Sequence, residues 1–338
     1  MKSNRTYIIA EISANHGNSI EIVYQSIDAI KELGADAIKI QTYTPDSITL
    51  DIDKPEFMAN PNGPWAGTRL YDLYEKAALP IDWTKDIFQY CKNIGLDCFS
   101  SPFSKKDVDI LIAVNNPIYK IASFEITDVP LIKYAAAQQK PMIISTGIAG
   151  FEDIKLAIET CRSVGNNDIT ILQCTSQYPS LPEDANLLTI KGIMDQFGVK
   201  SGLSDHTEGI EAPVLAVAMG ATVIEKHFIL DKSIGGPDAH FSLDKEEFQL
   251  MVSAVRKAEK MIGKITFELT PKKQQSRDYS RSIYAQSDIK CGELLTTENI
   301  KTVRPAFGLH PKYWERAIGS KSKKDITKGE PLKREYFE

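Results

Sequence analysis

No run of apolar residues in this chain is long enough to span a membrane. The polar start Met1–Arg5 leads straight into Tyr7-Ile8-Ile9-Ala10, too short for a secretory leader, so neither feature is expected. No basic tract stands out, and a net charge of -5 has the wrong sign for a general nucleic-acid binder. Nothing reads Gly-x-Gly-x-x-Gly after the first strand-like run, which argues against a dinucleotide-binding sheet. The five cysteines, Cys91, Cys98, Cys161, Cys174 and Cys291, are odd in number and lack metal-knuckle spacing. They read as reduced thiols of a cytoplasmic protein, with no His partner to suggest a nucleophile. What is left is a chain of 338 residues with ordinary charged and hydrophobic fractions, room for one large domain and a small one.

Short runs rich in Ile, Val and Phe recur along it: Tyr7–Ser13, Asp36–Thr42, Asp97–Ser101, Ile118–Ala122, Met142–Ser145, Ile169–Cys174, Val199–Leu203 and Thr222–His227. Helical patterns lie between them, for example Ile20–Leu33, Trp83–Ile94, Phe151–Ser163 and Lys245–Met261, and Gly34 and Gly95 fall where C-terminal caps belong. Eight strand–helix units are the count of an α/β (β/α)8 TIM barrel, whose active sites lie where the strands end. A doubly wound sheet is the fallback. The connection from Thr44 to Pro80 is too long and too rich in Pro and Gly for a simple barrel loop, and reads as a substrate-recognition segment or a surface decoration. The domains expected are a barrel over 1–263, a polar linker over 264–281 and a β-leaning unit over 282–338, too short to hold a large core alone.

The most informative stretch is Ser204-Asp205-His206-Thr207, read with Glu225-Lys226-His227-Phe228. On consecutive parallel strands, both imidazoles emerge side by side at one rim, while alternation sets Glu225 and His227 on one face and Lys226 on the other. Two neutral imidazoles beside carboxylates outline a divalent-metal site; the plain alternative is one turn histidine and one core histidine. The same alternation gathers Glu11, Ser13, Lys39, Gln41, Ser101, Lys120, Ser123, Glu125, Ser145 and Tyr178 toward that rim. Lysines among apolar strand residues are costly to bury unless an anion meets them, so Lys39 and Lys120 point to an anionic substrate or to internal pairs, Lys39 with Glu11 and Lys120 with Glu125. Glu11, Glu125 and Glu225 are candidates for proton transfer, and Asp238 for orienting a ligand. His16 reads as a turn or positioning residue; His240 and His310 carry no paired partner.

Several stretches, in order along nearly the whole chain, resemble the sialic acid synthase family, enzymes that condense phosphoenolpyruvate with an acylamino sugar. They include Ala10-Glu11-Ile12 with Asn15-His16, Lys39-Ile40-Gln41-Thr42, Ser101-Pro102-Phe103, Lys120-Ile121-Ala122-Ser123, Ser145-Thr146-Gly147, Tyr178-Pro179, Gly202 to Thr207, Glu225 to Phe228 and Gly236-Pro237-Asp238. The tail, with Val303-Arg304-Pro305 and Gly308-Leu309-His310-Pro311, resembles the antifreeze-like (SAF) domain of these synthases. Within the family, Lys39 to Asp46, Leu70 to Ala77 and Phe99-Ser100-Ser101-Pro102-Phe103 look most like the pseudaminic acid synthases; neuraminic acid synthases usually read Ser-Thr-Pro-Phe at the last of these.

The resemblance implies that His206 and His227 hold a divalent ion, Mn2+ or Mg2+. Lys39, Ser101, Lys120, Ser123, Ser145 and Ser204 would hold phosphoenolpyruvate, and Glu11, Gln41, Tyr178 and Asp238 the open-chain sugar. It also implies a domain-swapped homodimer in which Arg304 reaches the acylamino group in the partner subunit's barrel. N-acetylneuraminate or legionaminate synthesis is the near alternative. A metal-dependent aldolase or hydrolase on the same barrel is a more distant one, since a barrel does not fix function. A carbohydrate- or ice-binding protein is a third, suggested by the tail.

Overall fold

The computed structural model describes residues 5–61, 65–176 and 180–338. It divides into two compact units, Met1–Gly263 and Lys264–Glu338. Among the described residues, no helix is long and apolar enough to cross a membrane.

The first unit is a closed parallel barrel. Its strands are β1 (Tyr7–Glu11), β2 (Ala37–Thr42), β3 (Asp97–Pro102), β4 (Tyr119–Ile121), β5 (Met142–Ser145), β6 (Ile169–Cys174), β7 (Lys200–Asp205) and β8 (Val223–His227). Closure is made where β8 pairs with β1, with Glu11 opposite His227; across β1's other edge, Glu11 stands opposite Lys39. Strands covered on both faces bury nearly every residue, the polar ones included.

The two faces nonetheless do different things. Residues such as Ile8, Ala10, Ile38 and Ile224 pack outward against the helices. Ile9, Ala37, Phe99, Ile118, Ile143, Leu172 and Val223 form a separate cluster. Two residues further along each of those strands, on the same inward face, come Glu11, Lys39, Ser101, Lys120, Ser145, Cys174 and Glu225. An apolar floor thus carries a polar layer at the C-terminal ends. On β7 the floor position is Gly202, where a Cβ would lie 2.3 Å from the Val223 carbonyl oxygen and 2.8 Å from Leu172 Cδ2. Only a missing side chain lets β7 approach β8 so closely.

The long connection after β2 is structured. It contains helices at Pro45–Ile48 and Leu70–Ala77, and it is fastened to the barrel at several points. Ser47 Oγ donates to buried Asp107 at 3.0 Å; within the connection, Arg69 bridges Asp51 and Asp72. His16 Nε2 lies 3.2 Å from the Ala77 carbonyl while its Nδ1 accepts from the Asn18 amide, so Nε2 is the donor and His16 has the positioning role its turn suggests. Tyr74, on the second helix, meets the ring of Tyr43 edge to face at 6.3 Å, and Tyr43 meets Phe103 at 5.1 Å.

The second unit pairs β9 (Ser282–Ala285) with β10 (Ile300–Val303) antiparallel around a small core of Ile283, Ile289, Leu295, Ile300, Ile326 and Leu332. The stretch read as a bare linker carries a short helix, Pro271–Arg277, which starts at a Thr270 cap with Pro at its first position. That combination is a helix start, outweighed in the sequence reading by the polar composition around it.

Candidate active site

The polar layer closes into one ion-pair network. Lys39 Nζ pairs with Glu11 Oε2 and lies 3.4 Å from Glu225 Oε1; Lys120 Nζ lies 3.5 Å from the same Glu225 oxygen. Ser101 Oγ is 3.4 Å from Lys39 Nζ, and Ser204 Oγ donates to Glu225 Oε1 at 3.5 Å. Gln41 Nε2 donates to Ser13 Oγ at 3.0 Å and to Glu11 Oε1 at 3.4 Å. The Lys39–Glu11 pair anticipated from sequence is present. Lys120, expected beside Glu125, makes its ion pair with Glu225 instead, because Glu125 sits beyond the strand on a short 3-10 turn, Ser123–Glu125, while Glu225 faces inward from β8.

Burial separates these carboxylates electrostatically. Burial pushes Glu225 up, but Lys120 and Lys39 together outweigh it and hold the group below its ordinary range. Glu11 moves the other way, since its burial outweighs the pull of Lys39. Among the described residues Glu125 makes no ion pair, and burial, outweighing the pull of Lys120, pushes it up to about 7. Lys120 is held down by burial, whereas Lys39 is burdened by burial and yet held up by its two carboxylates. Glu125 Oε2, Glu225 Oε2 and Ser145 Oγ are buried with no hydrogen-bond partner among the described residues. Such atoms are costly unless a ligand meets them.

A second cluster of hydroxyls lies just beyond the ends of β4 and β6. Ser123 Oγ and Ser176 Oγ are 2.7 Å apart, and a Cβ on Gly147, after β5, would sit 2.1 Å from Ser176 Oγ and 2.7 Å from Ser123 Oγ. Hydroxyls, a tight glycine turn and two ammoniums are the parts of an anion cradle.

The two imidazoles stand together, with ring centroids 5.3 Å apart, as the strand register requires. Nδ1 of His206 lies 2.8 Å from the Thr175 carbonyl, so that nitrogen carries the proton and Nε2 keeps a lone pair. His227 Nδ1 is buried, has no hydrogen-bond partner among the described residues and lies 3.8 Å from Asp238 Oδ2. Burial lowers the pKa of His206 to about 4 and of His227 well below the usual value, so both rings are neutral donors at neutral pH. Neutral imidazoles with an adjacent carboxylate are donor types that fit a divalent ion. Among the described residues, no three His, Cys, Asp or Glu side chains converge into a cage, so an ion held here would keep positions for oxygen ligands.

Asp238 also accepts from the Ala14 amide at 3.4 Å, and burial raises its pKa. Tyr178 lies outside the described residues. Arg304 is exposed in the second unit. His240 packs edge-on against Phe241, and His310 caps a short turn through Lys312 N, both ordinary roles. Sequence reasoning did not single out Phe241, whose ring lies 4.9 Å from His227, nor the aromatic set Tyr43, Tyr74 and Phe103. Isolated aromatics carry no spacing signal, and only the folded connection brings them to the mouth.

Residues 26–266 match the NeuB family and residues 280–337 match the SAF domain. The chain is 49% identical over 334 residues to the pseudaminic acid synthase of Campylobacter jejuni, covering 99% of this chain and 97% of that one. It is 45% identical to the pseudaminic acid synthase of Helicobacter pylori, with coverages of 98% and 97%. The solved structure of N-acetylneuraminic acid (sialic acid) synthetase from Leptospira borgpetersenii, in complex with citrate, superposes with a TM-score of 0.72 at 27% identity, covering 81% of this chain and 90% of that chain. A closed eight-stranded barrel, a polar layer of the order read from the sequence and full-length likeness to these synthases agree: the chain belongs to the NeuB family and carries a SAF domain at its C-terminal end.

Proposed function

We propose that this chain is a pseudaminic acid synthase. It condenses phosphoenolpyruvate with 2,4-diacetamido-2,4,6-trideoxy-L-altrose to give a nonulosonic acid and phosphate. The full-length identity to the two named synthases supports the acceptor. The observation that carries the chemistry is the pair of inward ammoniums, Lys39 and Lys120, meeting at one Glu225 oxygen beside two neutral imidazoles.

Lys39, Lys120 and the hydroxyls of Ser101, Ser123, Ser145 and Ser204 hold the anionic enol phosphate. Glu11, Gln41, Tyr178 and Asp238 hold the open-chain sugar with its aldehyde toward the enol carbon. Positioning two polar reactants face to face supplies much of the acceleration. His206 and His227, with Asp238 near them, would hold Mn2+ or Mg2+, which supplies Lewis-acid polarisation of the aldehyde oxygen when bound. As the enol carbon attacks, positive charge develops on the phosphate-bearing carbon, and the Glu225 carboxylate, kept ionised by its lysines, stabilises it. Glu125, able to hold or release a proton near pH 7, takes the proton of the water that adds there. The tetrahedral carbon then loses phosphate by C–O cleavage, its hydroxyl proton leaving with the phosphate; the proton held by Glu125 passes to the former aldehyde oxygen, and the keto acid closes to its ring form.

In solution the chain is a homodimer whose SAF domains exchange, with Arg304 reaching the acylamino group in the partner's barrel. The reduced cysteines fit a cytoplasmic enzyme. Phosphoenolpyruvate carrying 18O at its bridging oxygen tests this chemistry. Label recovered in the released phosphate is expected; label retained in the acid product, or no phosphate release, overturns it and favours an aldolase.

A further inference from the structure

Asp205 and Lys226 are register partners on β7 and β8, and each immediately precedes one of the two histidines. Alternation turns them to the outer face while Ser204, His206, Glu225 and His227 look into the mouth. Lys226 Nζ lies 2.6 Å from Asp205 Oδ2 and also donates to the Thr207 carbonyl. Asp205 Oδ1 in turn accepts from the Thr207 amide at 3.0 Å and from Thr207 Oγ1 at 2.8 Å. Both charged groups are sealed from solvent, with exposures of 0% and 1%.

We infer that the Asp205–Lys226 pair is a positioning device that sets the separation and attitude of His206 and His227, and so governs divalent-ion affinity without touching ion or substrate. The inference rests on the metal-dependent reading above. A buried ion pair is a poor way to gain stability, because desolvation of two charges offsets most of their attraction and an apolar pair of similar volume holds two strands as well. A charged pair adds direction. The Asp205 carboxylate grips the backbone on the far side of His206, and Lys226 grips the same turn at Thr207. The peptide carrying His206 is clamped at both neighbours, and the Thr175 carbonyl fixes its ring from a third side. Since Lys226 is the residue before His227, the same clamp ties the second imidazole to the first. Among the described residues, neither side chain of the pair contacts Lys39 or Lys120, so phosphoenolpyruvate binding is expected to change little.

The test uses the full-length protein and the double variant Asp205→Val/Lys226→Met, which removes both charges together. Mn2+ affinity is read from the electron paramagnetic resonance of free Mn2+, phosphoenolpyruvate affinity by calorimetry, and stability from Tm. The double variant is expected to unfold within a few degrees of wild type and to bind phosphoenolpyruvate unchanged, while Mn2+ affinity falls about 10- to 100-fold, the range seen when groups behind metal ligands are removed. Lys226→Arg, which retains a cation, is expected to lie between the two, and it gives the same reading should the double variant fail to fold. A folded variant with wild-type Mn2+ affinity, or one that loses both ligands in parallel, would overturn the inference. Wild-type protein that binds no Mn2+ at all would overturn the metal reading with it.

Discussion

Three glutamates, Glu11, Glu125 and Glu225, lie at or just beyond the C-terminal ends of their strands, and their surroundings divide their work. Glu225 has two ammoniums on one oxygen and is held ionised; Glu125 pairs with neither, and burial outweighs the pull of Lys120 to raise it to about 7. The difference has a consequence for stability. A carboxyl whose pKa is raised by folding binds more protons folded than unfolded between its ordinary 4.5 and about 7, so its contribution is present at low pH and lost as pH rises through that window. Glu125→Gln removes this liability. The variant is expected to be more stable than wild type at pH 8, by about 1–3 kcal/mol in chemical denaturation, with the advantage gone near pH 4. Its turnover is expected to fall about 100-fold or more. Unchanged turnover would take Glu125 off the reaction path. The inward glutamates and lysines were readable from alternation alone, because polar residues two steps beyond an apolar one stand out in a barrel strand. Their partners were not. Lys120 has Glu125 nearby in sequence but Glu225 nearby in space, and only barrel closure shows which carboxylate it meets.

At the level of elements, the strands follow the apolar floor and polar rim closely, and their order and type were legible because each run is short, β-branched and followed by a helical pattern. Gly202 shows what pattern alone does not carry. It reads as an ordinary strand glycine, yet its missing side chain is where β7 and β8 come together beneath Ser204. Gly202→Ala is expected to destabilise the barrel by about 1–3 kcal/mol, measured by denaturation, since backbone at 2.3 Å cannot yield as a flexible side chain would. The long connection was visible as an anomaly of length, but not as a fastened segment, because its anchors (His16 and Asp107) come from separate parts of the chain. Loss of the His16 bond to the Ala77 carbonyl should loosen the helix that carries Tyr74. His16→Ala is therefore expected to raise the KM for the acceptor sugar about 2- to 10-fold while leaving that for phosphoenolpyruvate unchanged. A change in both, or in neither, would show that the connection has no part in sugar recognition.

For the whole molecule, the sequence placed a small β-rich unit after the barrel, and a SAF domain is found there. Which barrel that unit serves in the proposed homodimer is not encoded by any spacing within one chain. If Arg304 acts in the partner's barrel, mixing Arg304→Ala and His227→Ala subunits forms dimers with one intact site, and two inactive preparations together regain about a quarter of wild-type turnover after random exchange. No recovery on exchange would mean that Arg304 serves its own barrel or none. The central claim is that two imidazoles and two lysines at one rim join an enol phosphate to an activated aldehyde. It is tested most directly by phosphate release from phosphoenolpyruvate, comparing 2,4-diacetamido-2,4,6-trideoxy-L-altrose with N-acetylmannosamine, before and after chelation. The expected result is release with the altrose derivative at a kcat/KM about 10-fold or more above N-acetylmannosamine, abolished by chelator and restored by Mn2+. Release that is indifferent to chelation, or absent with both sugars, would contradict it.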